Sequence, residues 1–189
     1  MDELVLEGAP VLGVPDGVRV EVGQQRAVVV ADPDDARELA DLLVGLVDPP
    51  PGVTVSRPDR VRLVPPEGGL LPHLTVLGNL VHASCVTRSL VIGAAAEACR
   101  ETASECGLDD VVNRYPHEIT PGRRRLAGVA RALCADATVI VLEDAPGLPT
   151  WGALLDLEHN TELLSVALLL ITPGKDRTAG FTVAGIQNG

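Results

Sequence analysis

The chain has 189 residues, of which 46% are hydrophobic and 2% aromatic, and its formal net charge is −11 at pH 7. This length is enough for one domain with a sizeable core. The negative charge argues against nucleic acid as a partner, and the scarcity of aromatic side chains argues against stacking platforms for bases.

Four cysteines, at positions 85, 99, 106 and 134, lack C-x-x-C spacing and have no histidine at metal-ligand spacing. We therefore expect reduced, structural thiols and no metal site. Met1 is followed by two acidic residues rather than by a charged and then apolar leader, and no apolar run is long enough to span a bilayer. These features predict a cytoplasmic location.

The N-terminal part of the chain predicts strands followed by a helix. Apolar runs at residues 4–6, 18–22 and 26–30 are separated by turn residues, which is typical of short strands. Residues 36–46 carry apolar side chains at helical spacing. The expected N-cap is Asp34 or Asp35. The expected buried face consists of Leu39, Leu42, Leu43 and Leu46.

The following elements alternate between strands and helices. Strands are predicted at 53–55 and 60–64, and helical structure is predicted over 79–108. Four consecutive apolar residues at 139–142 predict a strand buried on both faces. A helix over 151–157 and a core strand over 163–172 complete the pattern.

A longer pattern lies at residues 115–133, which read Y-P-H-E-I-T-P-G-R-R-R-L-A-G-V-A-R-A-L. Thr120 can cap a helix whose first position is Pro121, where a missing N–H costs nothing. Apolar residues at 126, 129, 130 and 133 give that helix one buried face. Three arginines at 123–125 are unfavourable beside the positive end of the helix dipole, so they are either solvated or offset by something anionic.

This stretch resembles the signature region of ATP-binding-cassette (ABC) ATPases, in which Y-P-H-E-L-S-G-G-Q-R-Q-R-V-A-L-A-R-A-L is a common form. The matching residues are Tyr115, Pro116, His117, Glu118, Gly122, Arg124, Ala130, Arg131, Ala132 and Leu133. Pro121 replaces the first signature glycine, and Arg123 replaces the glutamine.

The resemblance implies an α/β, ABC-ATPase-like fold: a P-loop NTPase or RecA-like core sheet, an antiparallel β-subdomain and a helical signature subdomain. Within a single domain 1–189, it assigns 1–30 to the antiparallel subdomain and the first core strand, and 31–66 to the core. It assigns 67–134 to the helical subdomain and 135–189 to a core segment that is short for the family at its C-terminal end.

The resemblance also places the family's phosphate loop, G-x-x-x-x-G-K-S/T, after the strand at 26–30. Asp35 and Ala36 stand where Gly-Lys would be, and Arg37 and Glu38 stand where the hydroxyl residues would be. The family's loop binds phosphates through backbone amides and neutralises them with lysine. Carboxylates here would repel phosphate, unless Arg37 substitutes for the lysine.

Residues 65–80 resemble the family stretch F-Q-x-x-x-L-L-P-H-L-T-V-x-E-N-L, with Pro66 in place of the glutamine that reaches Mg²⁺ and the attacking water. In the family, the region that residues 70–75 match usually faces the coupling helix of the membrane subunit. The candidate partner-binding residues are Leu70, Leu71, His73 and Leu74. Alternatively, the leucines of this stretch form the core of the helical subdomain.

The strand at 139–142 is followed by Glu143 and Asp144, where the family has Asp-Glu for Mg²⁺ binding and general-base catalysis. The reversed order displaces each carboxylate, and a displacement of ~1 Å can cost a hundredfold in rate. These residues are Walker-B-like candidates, or alternatively a solvated acidic turn. Pro173 and Gly174 stand where the family has its switch histidine, and residues 4–31 lack the aromatic that stacks on adenine.

Every position that touches nucleotide in the family is altered, so the sequence predicts a degenerate ABC subunit, a pseudo-ATPase. Its expected partners are an active ABC ATPase subunit, a transmembrane permease or a second copy, at the inner face of the membrane. No cofactor is expected in its own site, although Thr120, Gly122 and Arg123 could assist a partner's ATP. Two alternatives stay open: an ATP hydrolase with rewired residues that uses ATP and Mg²⁺, and a stand-alone binding or regulatory protein.

Overall fold

A computed structural model describes residues 3–8, 14, 17–88 and 92–184, except for the side chain of Arg88. The chain forms two compact units. The first consists of Met1–Leu63 with Thr138–Gly189, and the second consists of Val64–Ala137. The second unit is therefore inserted in the sequence of the first.

Within the described residues, eight strands form two sheets. They are β1 (Glu3–Gly8), β2 (Val18–Glu21), β3 (Gln25–Val29), β4 (Val53–Ser56), β5 (Val61–Val64), β6 (Val139–Glu143), β7 (Ala167–Thr172) and β8 (Thr182–Val183). β1 pairs antiparallel with β2 and with β4, which gives a three-stranded sheet of order β2-β1-β4. The five-stranded sheet has the order β5-β6-β7-β3-β8.

Six α-helices accompany the sheets in the part of the chain that the structure describes. They are α1 (Pro33–Val44), α2 (Val76–Arg88), α3 (Ile92–Glu105), α4 (Pro121–Cys134), α5 (Trp151–Leu154) and α6 (Thr161–Leu164). In the first unit α1 packs on β6 and β7, and in the second unit α2, α3 and α4 pack on one another. None of the helices within the described ranges is long and apolar enough to cross a membrane.

Parallel pairing brings the carboxyl ends of three strands to one edge of the larger sheet. In the register of β3 with β7, Val29 lies opposite Thr172, and in that of β6 with β7, Glu143 lies opposite Ile171. Every residue of β6 and β7 is buried. Charged groups at this edge therefore need partners within the protein, because burying an unpaired charge is costly.

The core of the first unit joins both sheets and α1 in one apolar cluster. It includes Leu4 and Leu6 from β1, Val28 from β3, Leu39 and Leu43 from α1, Val141 from β6 and Leu169 from β7. Burial of such side chains contributes about 1.5–3 kcal/mol each. This contribution requires no ligand.

Several predicted elements are confirmed, although boundaries differ. The strand at 139–142 is β6, and the helix capped by Thr120 is α4. The helical stretch predicted over 79–108 is two helices, α2 and α3, and the helix predicted over 151–157 ends at Leu154. The predicted strand at 163–172 begins only at Ala167, because an apolar run does not by itself distinguish a buried helix from a strand.

α1 covers Pro33–Val44 rather than residues 36–46. The leucines that are buried as predicted are Leu39, Leu42 and Leu43. Leu46, also predicted to be buried, is 68% exposed. The reason is Gly45, whose left-handed φ of 82° ends the helix and turns the chain away.

The cysteines are free thiols, as predicted, and three of them are buried. A hydrogen bond with Cys99, together with burial, raises the pKa of the Cys134 thiol. Cys99 lies on α3 and Cys134 at the end of α4, so these thiols contribute to the packing of the helical unit.

Candidate functional site

The turn between β3 and α1 is short, and the side chain of Asp32 in this turn caps the N-terminus of the helix. The Asp32 Oδ1 atom accepts hydrogen bonds from the backbone amides of Asp34 at 2.8 Å and Asp35 at 3.3 Å. Pro33, at the first helical position, has no N–H to offer. The N-cap is thus Asp32, and the prediction of Asp34 or Asp35 is wrong.

The predicted phosphate-loop residues lie within α1 rather than in an open loop. Helical structure begins at Pro33, so Asp35, Ala36, Arg37 and Glu38 all belong to the first two turns. Ala36 is buried and its amide donates to the Asp32 carbonyl oxygen at 3.0 Å. A backbone that is already helical does not present the row of free amides that wraps phosphates.

The guanidinium of Arg37 is held by carboxylates. Its Nη1 atom donates to Glu143 Oε2 at 3.0 Å, and its Nη2 atom lies 3.2 Å from Asp41 Oδ1. Arg37 reaches Glu143 across 106 positions of sequence, because α1 packs on β6. The structure thus brings the predicted residues Arg37 and Glu143 together as an ion pair.

Asp144 is paired more completely. Its side chain is 0% exposed, and both carboxylate oxygens are engaged by Arg177, with Nε to Oδ2 at 2.6 Å and Nη2 to Oδ1 at 2.8 Å. The Thr172 hydroxyl donates to Oδ2 at 3.0 Å. Bidentate pairing of this kind is stronger than a single hydrogen bond. The alternative of a solvated acidic turn is therefore wrong at Asp144.

The pKa values of Glu143 and Arg177, one from each ion pair, are shifted for different reasons. Burial raises the pKa of the Glu143 carboxyl, and the neighbouring Arg37 opposes that rise. The hydrogen bond to Asp144 raises the pKa of Arg177. Glu143 is thus a carboxylate whose charged form is disfavoured by its surroundings, whereas Arg177 is fixed in its charged form.

These residues do not fit a magnesium nucleotide. The Asp32 carboxylate occupies the amides at the start of α1. Glu143, which ends β6, is paired with Arg37, and Asp144, the next residue, is paired with Arg177. Over the described part of the chain, no group of three or more His, Cys, Asp or Glu side chains could hold a metal ion.

In the helical unit, carboxylates offset two of the signature arginines. Arg123 lies 3.2 Å from Asp110, and Arg124 lies 2.8 Å from Glu67. Arg125 is fully buried. The sequence left open whether these arginines are solvated or offset by anions. Arg123 and Arg124 are offset by carboxylates.

The N-terminus of α4 borders a cavity. The Arg123 amide donates to Thr120 Oγ1 at 3.3 Å, which confirms the predicted cap, and Gly122 is buried. Thr120, Arg123 and Arg114 are among the residues that line a cavity of about 420 Å³ in this unit. Its lining mixes acids with arginines.

The predicted partner-binding stretch is a loop fastened by one side chain. The Asn79 amide accepts from the Leu71 amide at 2.7 Å and donates to the Leu71, Leu74 and Thr75 carbonyl oxygens at 3.0–3.2 Å. His73 is exposed, and the leucines at 70, 71, 74 and 77 are half-buried. They are not fully buried core residues, and their role in partner binding stays a prediction.

Sequence reasoning missed Asp32, Asn79 and Arg177. The signal for Asp32 was present, since Asp-Pro is a typical start of a helix. Asn79 lies in the matched E-N-L position, which could have indicated a structural role. Nothing near Arg177 in the sequence indicates that it pairs with a residue 33 positions earlier.

We expect Asp32→Ala to lower the free energy of unfolding by about 1 kcal/mol, because two amides lose their acceptor. Asp34→Ala is the matched control, because it removes the same charge two residues later without removing the cap. Asp34→Ala should lower the free energy of unfolding by clearly less, because only a charge–dipole interaction with the helix is lost. Urea unfolding would measure both, and equal losses would contradict the assigned cap.

Glu143→Gln should stabilise the protein in a pH-dependent way. A carboxyl whose folded-state pKa lies above its usual 4.5 favours folding only while protonated, so the wild type loses this contribution as pH rises through the raised folded pKa. Glutamine keeps an acceptor for Arg37 without the charge. The gain in unfolding free energy should therefore be larger at about pH 7.5 than near pH 4.5.

The control for Glu143→Gln is Glu38→Gln, on an exposed position of α1. It makes the same charge change where there is no burial. A pH-independent effect at Glu143, or equal effects at both positions, would contradict the electrostatic assignment.

Comparison with known proteins gives one consistent result. No protein-family model matches the chain. The molybdate/tungstate import ATP-binding protein of Pyrococcus horikoshii is 24% identical over 67% of this chain and 37% of its own length. The corresponding Archaeoglobus fulgidus protein is 26% identical over 74% of this chain and 62% of its own length. The L-cystine import ATP-binding protein of Bacillus subtilis is 30% identical over 56% of this chain and 38% of its own length.

The chain thus spans 37–62% of the length of these relatives.

Solved structures agree on the fold. A metal-chelate type ABC transporter in an inward-facing conformation matches with a TM-score of 0.71 and 16% identity over 96% of this chain and 77% of its own. An ATP-binding cassette solved as a dimer with ADP and Pi matches with a TM-score of 0.66 and 17% identity over 92% and 89%. By sequence relationship and by its α/β fold, this chain is an ABC-ATPase-like protein.

Proposed function

We propose that this chain is a pseudo-ATPase: a subunit with the ABC ATPase fold that does not hydrolyse ATP and acts beside an active ATPase subunit, a membrane permease, or both. The observation that carries the proposal is the Asp32 carboxylate on the first amides of α1. An anion binds a helix N-terminus through those amides and the dipole. Here the protein's own anion already occupies them.

Charge supports the same conclusion. Asp32, Asp34 and Asp35 surround the start of α1, and a phosphate within ~4 Å of a carboxylate is repelled by about 4 kcal/mol at an effective dielectric of ~20. Arg37, the cation that could offset this repulsion, is bound to Glu143 and Asp41. The hypothesis of a rewired hydrolase requires Arg37 to leave both carboxylates.

The partner side of the proposal rests on α4 and on the loop before α2. Thr120, Gly122 and Arg123 keep a capped helix start beside a cavity, which could complete an ATP site held by an active subunit. His73 is exposed on a loop fastened by Asn79, which suits a docking segment for a permease. The relatives named above are ATP-binding proteins of import systems. We accordingly place the chain at the inner face of the membrane.

The first test of the proposal is nucleotide binding to the isolated chain. A ligand present at 100 times its Kd stabilises by about 2.7 kcal/mol, which would raise the Tm of a chain this size by roughly 5–10 °C. We expect Mg-ATP at about 5 mM to change the Tm by less than about 1 °C and to give no heat in calorimetric titration. An active ABC ATPase measured in parallel is the control, and a Kd in the micromolar range would refute the proposal.

The second test concerns the contribution to a partner. In a complex with an active ABC ATPase that co-purifies with this chain, Gly122→Asp and Arg123→Ala should lower the ATPase rate several-fold. Both changes alter the charge at the start of α4. Arg100→Ala, on an exposed position of α3, is the matched control. Unchanged rates in both variants would contradict a role for α4 in the partner's ATP site.

A further inference from the structure

Three of the four cysteines are buried in the helical unit. Cys99, Cys106 and Cys134 are 1%, 9% and 5% exposed, whereas Cys85 on α2 is only half-buried. Cys99 lies on α3, Cys106 directly follows that helix, and Cys134 ends α4. Because α3 and α4 pack on each other, thiols from two different helices meet in the same apolar interior.

The side chains of Cys99 and Cys134 are in direct contact. A hydrogen bond between them contributes to the raised pKa of the Cys134 thiol, and Cys106 is close enough to act on the same thiol electrostatically. A hydrogen bond raises the pKa of a thiol when the protonated form makes it, so Cys134 donates and the Cys99 sulfur accepts. Two sulfurs in such contact need only small side-chain rotations to reach the geometry of a disulfide.

Metal binding does not account for these thiols. Over residues 3–8, 14, 17–88 and 92–184, no His, Cys, Asp or Glu group of three or more could hold a metal ion. The chemistry left to neighbouring thiols is oxidation. Burial excludes large oxidants, and the raised pKa keeps Cys134 protonated near neutral pH, so weak oxidants leave the pair reduced.

We propose that Cys99 and Cys134 are a redox-sensitive switch, which a peroxide oxidises to a disulfide that cross-links α3 to the end of α4. The inference goes beyond the proposed function and does not rest on it, because neither nucleotide nor a partner takes part. A peroxide is the class of oxidant that fits, since it is small enough to enter a packed interior during local opening.

The oxidation takes two steps. The Cys99 sulfur attacks one peroxide oxygen, the O–O bond breaks, and the thiol proton leaves with the released oxygen as water. The Cys134 sulfur then attacks the sulfenic sulfur of Cys99, and its proton leaves with the sulfenic hydroxyl as a second water. Two thiols are thus oxidised by two electrons in all, and one hydrogen peroxide is reduced to two waters.

The cross-link constrains the helical unit. It closes a loop over residues 99–134, which contains the end of α3, the connecting segment and all of α4. Closing a loop of this length restricts the unfolded chain, so oxidation should raise the Tm by roughly 4–16 °C.

The test compares reduced protein with protein treated with hydrogen peroxide, in a Cys85→Ser background that prevents disulfides between chains and keeps the three buried thiols. Free thiols are alkylated after unfolding, and peptides are mapped by mass spectrometry without reduction. We expect a cross-linked peptide pair that contains Cys99 and Cys134, a higher Tm, and reversal of both by dithiothreitol.

Two further variants give the comparison its specificity. Cys106→Ala is the matched control, because it removes the third buried thiol and should leave both the cross-link and the rise in Tm. Cys99→Ala should abolish both, and Cys134→Ala serves for the same comparison if Cys99→Ala does not fold. The proposal is overturned if peroxide forms no disulfide within the chain, if Cys106 is the main partner of Cys134, or if the cross-linked protein is no more stable than the reduced one.

Discussion

Charges at the carboxyl edge of the parallel sheet are neutralised from within the chain. Two consecutive carboxylates, Glu143 and Asp144, each face a guanidinium, one from α1 and one from the segment after β7. At the same edge the Asp32 carboxylate lies on the amides of α1. Because the strands beneath are fully buried, unpaired charge here would be costly, and the pairs leave little for an external ion to satisfy.

The scaffold does not depend on an occupied site. Leu39 and Leu43 of α1 pack into the same apolar cluster as Val141 and Leu169, and their stabilising burial involves neither metal nor phosphate. In an ABC-ATPase-like chain this separation has a consequence. Apolar packing holds α1 on the sheet whatever residues stand in the turn before it.

In the helical unit, too, charged and polar groups are satisfied by other groups of the same chain. The unfavourable positive charge after Thr120 is offset by Asp110 and Glu67, both on neighbouring loops of that unit. The Asn79 amide satisfies backbone groups of the loop that precedes α2. Local carboxylates and amides thus maintain the signature helix and its neighbouring loop, which are the surfaces that the proposed partnership uses.

The sequence by itself determined the elements whose signals are local. These local signals are the apolar run at 139–142 in β6, the cap and proline at the start of α4, and the buried leucines of α1. Each acts over a few residues, so pattern and propensity identify it. The resemblance in residues 115–133 was long enough to indicate the fold. Tertiary structure alone decided how the charges pair. Arg37 meets Glu143 across 106 positions and Arg177 meets Asp144 across 33, since parallel strands bring distant carboxyl ends together, and no local pattern encodes that proximity.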